Sequence, residues 1–317
     1  MAIPTYATPL ERVWRYAFRV ICVLIFIFLI APILVVIPLS FNAEPYFTFT
    51  PKMLALDPEG YSLRWYDTLL TLGMPAPDGV RDSAWWAQAW ETSTWIKAAK
   101  NSIIIGFWST ILATVLGTLA ALGLSRSEMP YRRLIMAILI SPMIVPIIII
   151  ATGLFFFYSN PCAPLAIIGI EAQCGRLTST YLGVVLAHAT LGIPFVIITV
   201  TATLSGFDHS LSRAAASMGA SPRTTFFKVM LPLILPGVIS GALFAFVTSF
   251  DEVVAVLFIA GPEQQTIPRQ MWNGIREAIS PAILAVATIL VIISILLLAT
   301  VELLRRRSEK LRGVSPH

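Results

Sequence analysis

The chain has 317 residues, 57% of them hydrophobic and 12% charged, with a mean hydropathy of +0.81 and a formal net charge of +5. No soluble domain of this length needs that much apolar surface, so the composition marks an integral membrane protein. The modest charge does not point to nucleic acid, and the sequence has no GxxxxGK[ST] phosphate loop, so ATP, if used, is bound by another chain.

Arg12, Trp14, Arg15 and Tyr16 make a basic, aromatic approach to a first apolar run, Val20 to Leu39. The run is long for a signal peptide and no small-x-small cleavage site follows, so it reads as a retained helix. Pro32 and Pro38 are tolerated because neighbouring groups can re-satisfy the backbone in a spanning helix. Residues 41 to 101 are polar, with Trp85, Trp86, Trp90 and Trp95 clustered. Such a cluster reads as an interfacial segment, with a binding platform as the alternative.

Five further apolar runs follow: Ser102 to Leu124, Leu134 to Phe157, Thr180 to Leu204, Leu233 to Ala260, and Pro281 to Leu304. Each is close to the roughly 20 residues that cross about 30 Å of hydrocarbon as a helix. Gly106, Ala113, Gly117, Ala120, Ala121 and Gly123 thin the second run, which predicts close helix packing. Pro142 and Pro146 predict local distortion in the third. His188, the one histidine within a span, reads as a buried, hydrogen-bonded core residue.

Six spans put both termini on one side. That arrangement collects 14 of the 22 Lys and Arg, but only 5 of the 17 acids, with the termini, so the positive-inside rule places the termini in the cytoplasm. The basic tail, Arg305 to Arg307, Lys310 and Arg312, then serves topology and meets anionic lipid. Cys162 and Cys174 flank an external connector where a disulfide is expected as one alternative and two free thiols as the other. No metal-ligand spacing and no Ser/His/Asp or Cys/His set is present in the sequence, and no cofactor is expected.

Two polar stretches interrupt the apolar pattern. Residues 205–232 form a connector of small residues. Leu211 to Met218 predicts a short helix, Gly219 its left-handed end, and Ser221-Pro222 an N-cap followed by proline at the first helical position. Asp251 and Glu252 lie deep in the fifth run, where a charge costs at least about 2.5 kcal/mol on insertion scales. Three readings stay open: they face a translocation path, they pair with a partner subunit or cap a break in the helix, or one carries a proton. Adjacent helical residues point about 100° apart, so both cannot face one pore squarely.

Arg213-Ala214-Ala215, Gly219 and Leu231-Pro232 together resemble the "EAA" loop of permease subunits of bacterial binding-protein-dependent ABC importers. Ser249-Phe250-Asp251-Glu252, Thr266-Ile267-Pro268 and Ser62-Leu63-Arg64-Trp65-Tyr66 are similar to the spermidine/putrescine-type branch. One position departs: Arg213 stands where the family pattern has Glu, which leaves the acidic contact at the ATPase groove open while the helix and its small face remain.

The resemblance implies an all-α integral membrane fold of six transmembrane helices with a type I (MetI-like) importer core. Residues 96–304 would form the five-helix domain. Residues 1–95 would supply the first span and an external loop, and 305–317 a cytoplasmic tail. It further implies an inner-membrane permease subunit with no catalytic residues of its own. The expected coupling set is Arg213, Ala214, Ala215, Gly219, Ser221 and Pro222, docking on a cytoplasmic ATPase dimer. A second permease subunit and an external substrate-binding protein are the other expected partners, and the expected solute is a polyamine or related small cation. A gradient-driven transporter or channel using Asp251 and Glu252 is the alternative.

Overall fold

A computed structural model describes residues 8–76, 79–126, 128–163, 174–277 and 280–311, with the backbone alone for residues 277, 297, 298 and 300–311. Arg312 and His317 lie outside the described residues, as do residues 164–173 between the two paired cysteines. Among the described residues every regular element is helical, apart from one isolated bridge between Asn42 and Tyr61. The chain divides into two compact units, residues 1–92 with 274–317, and residues 93–273.

In the first unit, α1 (Pro9–Leu39) starts at a capping box in which Thr8 and Glu11 satisfy each other's backbone amides. The helix thus begins well before the apolar run. Its side chains are almost all exposed, as expected where lipid is the neighbour. After α1 come the short α2 (Pro51–Leu54), then α3 (Arg64–Thr71) and α4 (Ser83–Thr92). The Ser62–Tyr66 motif pins this connector. Arg64 donates to Ala43 O at 3.0 Å, the Trp65 indole donates to Asn42 O at 2.8 Å, and the Tyr66 and Ser40 hydroxyls lie 2.7 Å apart. The tryptophan cluster is divided: Trp85 is buried under Arg81, whose guanidinium pairs with Asp67, while Trp90 is exposed.

The second unit holds α5 (Thr94–Leu124), α6 (Arg132–Ile144), α7 (Ile147–Ser159), α8 (Tyr181–Ser205), α9 (His209–Ser217), α10 (Pro222–Thr225), α11 (Leu231–Phe250) and α12 (Val254–Ile259). α13 (Ile267–Glu277) leads out of it, and α14 (Ala282–Leu311) closes the chain in the first unit. α5, α8 and α11 form its core and pack through small residues. A Cβ added at Gly117 would stand 2.6 Å from Val196 Cβ, too close for any real side chain, so the glycine sets the α5–α8 approach.

Among the described residues four helices are long and apolar enough to cross a membrane: α1, α5, α8 and the continuous stretch 222–250. The expected third span is not one straight helix. It breaks between α6 and α7, which meet at 104°, because Pro146 cannot donate to the helix ladder and pushes Val145 to extended backbone. Counted as one span, the pair makes a fifth. Of the expected sixth, the apolar part described, Ala282–Leu296, is shorter than a span.

Candidate functional site

Two regions of the second unit hold the residues singled out by sequence. The first is the connector between α8 and α11. Asp208 caps α9, accepting from the Ser210 amide at 2.8 Å and hydroxyl at 2.7 Å, and these bonds hold its carboxyl below the usual carboxylate range. The helix closes with both bonds of a Schellman end. Ala220 N–H reaches Ala215 O at 3.0 Å, and Gly219 N–H reaches Ala216 O at 2.9 Å, with Gly219 at φ +84°. Space around Gly219 is open, so its backbone angle alone requires glycine. Ser221 then caps α10, accepting from the Thr224 amide at 3.2 Å, with Pro222 at the first helical position.

The connector does not form a second free-standing helix. α10 continues into α11 through a π-helical turn, Phe226–Met230, in which Leu231 N–H donates to Phe226 O. The wider turn accommodates Pro232, which has no N–H for the α ladder. Of the expected coupling residues, Ala215 faces inward, whereas Arg213, Ala214, Gly219, Ser221 and Pro222 are exposed beside Met218.

The second region is a break in the expected fifth span. α11 ends at Phe250 and α12 begins at Val254. Glu252 is buried, and its Oε1 accepts the Ala255 amide at 2.8 Å, a cap on the first turn of α12. Asp251 is exposed. The two acids therefore occupy different surroundings. One turn earlier, Ser249 Oγ lies 2.7 Å from His188 Nδ1 and 2.9 Å from Ser109 Oγ, joining α11, α8 and α5 through a buried polar chain.

The far end of α12 is held by a residue that sequence reasoning missed. Arg269 Nη1 donates to Ala260 O at 2.8 Å and Val256 O at 3.1 Å, placing a cation at the helix C-terminus. Asn101 Nδ2 donates to Glu263 O at 2.8 Å and Gln265 O at 2.9 Å, and Ser102 Oγ accepts the Ile267 amide at 2.9 Å. The Thr266-Ile267-Pro268 motif marked this neighbourhood without indicating a cap. Among the described residues no group of three His, Cys, Asp or Glu is placed to hold a metal.

The second unit thus combines a small-residue connector with a broken, acid-bearing span. Residues 113–310 match the family described as "Binding-protein-dependent transport system inner membrane component". The chain belongs to that family. It is 28% identical to the spermidine/putrescine transport system permease protein PotC of Haemophilus influenzae, over 90% of this chain and 95% of the relative. It is 31% identical to the putrescine transport system permease protein PotI of Escherichia coli K12, over 87% and 85%. The sulfate transport system permease protein CysT of the same organism is also 31% identical, over 70% of this chain. The fold matches a bacterial alginate ABC transporter, solved with a periplasmic protein carrying an alginate pentasaccharide, at a TM-score of 0.66 and 16% identity over 95% of this chain. This permease is accordingly a multi-pass inner-membrane transport component and not an enzyme.

Proposed function

We propose that this permease is one of two membrane-spanning subunits of an ATP-driven importer for spermidine, putrescine or a related small cation. An external binding protein delivers the solute, and the 205–232 connector docks on a cytoplasmic ATPase dimer. The observation that carries the substrate class is the near full-length similarity to PotC and PotI, against the shorter match to the sulfate permease. The exposed Asp251 carboxylate supports it: a charge at membrane depth is tolerated where it meets water, a partner or a cation.

In this reading Arg213, Ala214, Gly219, Ser221 and Pro222 present the docking surface, and Ala215 seats α9. Asp251 faces the path, and Glu252 shapes the break. The transport domain runs 96–304, between the 1–95 segment and the 305–317 tail, and both termini are cytoplasmic, a reading the distribution of Lys and Arg supports. Cys162 and Cys174, whose Cα atoms are 5.6 Å apart, form an external disulfide. Three reactive thiols under denaturing, non-reducing conditions would sink that pairing.

The test is co-purification of the tagged chain in mild detergent, followed by uptake of radiolabelled putrescine in proteoliposomes. A second permease and an ATPase are expected, with the ATPase lost when residues 211–222 are replaced. A chain that runs alone, or a complex that moves sulfate and not putrescine, refutes the proposal.

A further inference from the structure

The connector after α1 folds back on itself at once. Beside the Asn42–Tyr61 bridge, the Ala43 amide donates to Gly60 O at 3.1 Å and the Ser62 amide to Phe41 O at 2.7 Å, closing residues 43–60 into a loop. Asn42 is fully buried, and its Nδ2 donates to the carbonyls of Tyr46 and Thr48, both at 3.0 Å. The neck is therefore rigid, and it starts within a turn of Leu39. The apolar run that ends at Leu39 has the length of the hydrocarbon core, about 20 residues for about 30 Å. That places the neck in the headgroup layer, which is only about 5–7 Å deep.

This loop turns several large apolar side chains outward, beside the exposed Glu44. Leu54 and Leu56 are 72% and 78% exposed, Tyr46 is 58% exposed, and Phe47 and Phe49 are partly so. Its Lys52 and Glu59 neutralise each other at 2.7 Å. Leu56 also sits at φ +55°, where it closes α2. Its own amide reaches Met53 O at 3.0 Å, and the Asp57 amide reaches Lys52 O at 2.9 Å. Glycine would make that turn without a Cβ penalty, so the backbone gives no reason for a leucine.

We propose that residues 43–60 form a membrane-surface anchor in which Leu54, Leu56 and Tyr46 enter the boundary between headgroups and acyl chains, in the leaflet where α1 ends. Apolar and aromatic side chains are favoured at that depth, and their burial fixes the exit of α1 against the bilayer surface. The partner is lipid, and the inference stands whatever solute the permease carries.

The experiment places an environment-sensitive fluorophore on Leu56→Cys in a Cys22→Ala background. The full chain, with its co-purifying subunits, is reconstituted in phosphatidylethanolamine/phosphatidylglycerol nanodiscs. The expected result is blue-shifted emission that is lost with nitroxide-bearing lipids, resists aqueous iodide and does not change when binding protein is added. Tyr46→Cys, which leaves the left-handed turn intact, should report the same. Quenching by iodide alone overturns the proposal. So does a shift that needs the binding protein, which would mark a receptor contact, or protection from both quenchers, which would mark a subunit contact.

Discussion

Two helix ends in this protein are closed by the same pair of backbone bonds with different residues at the left-handed position. α9 ends at Gly219, φ +84°, and α2 ends at Leu56, φ +55°. At Gly219 the residue does what the backbone asks and offers no side chain. At Leu56 the backbone would be served better by glycine, and a large apolar side chain projects outward instead. The first position is explained by chain shape, the second by what its side chain touches. A third kind of closure differs from both: the ends of α12 are held by charged side chains, Glu252 and Arg269, and neither flanking residue, Val253 or Ala260, is left-handed.

Gly219→Val should give the largest effect. A β-branched residue at that angle costs about 1–2 kcal/mol or more, and the turn between α9 and α10 is lost. Uptake should fall to background while membrane insertion stays normal. Wild-type uptake would show that the turn tolerates strain as Leu56 does, and the contrast would collapse.

Arg269→Ala comes next. It leaves the Ala260 carbonyl without its Arg269 donor and Val256 O with the Ala260 amide alone, at a cost of about 1–3 kcal/mol, with partial rescue by Arg269→Lys. Thermal unfolding of the purified complex measures it, and an unchanged midpoint would mean that the loop bonds from Asn101 suffice. Glu252→Ala, which removes the cap from α12, should lower stability by about 0.5–2 kcal/mol in the same assay. Asp251→Ala should leave the midpoint in place and reduce putrescine uptake. Equal destabilisation by both would erase the distinction drawn between the two acids.

Leu56→Gly should be the smallest effect and the only one of opposite sign in detergent, stabilising the loop by up to about 1 kcal/mol through relief of the left-handed strain. In nanodiscs the gain should shrink or reverse, because the side chain that meets lipid is gone. Equal gains in both media would mean that the leucine has no lipid contact.

The apolar runs were legible because transfer of a helix into hydrocarbon depends on composition over a local window. The ends of the connector helices were legible for a similar reason: Gly219 and Ser221-Pro222 act on their own turn of backbone. The kink at Pro146 was anticipated as distortion, but its size of 104° was not, since the packing around a proline decides how far the chain swings. Asp251 and Glu252 drew notice as a costly pair, yet three readings of them survived. Choosing between those readings required knowing that α11 stops at Phe250.

Sequence alone thus determined that the chain crosses the membrane several times, where its apolar segments lie, and that a small-residue connector with a glycine end separates two of them. Tertiary structure alone decided which acid is buried, which arginine caps the broken span, and that His188 joins Ser249 and Ser109. The physical reason is distance along the chain. A cap, a kink angle or a buried polar chain depends on partners from other segments: Asn101 meets Glu263 across 162 positions, and Ser109 meets Ser249 across 140. No local window of sequence contains both halves of such a bond.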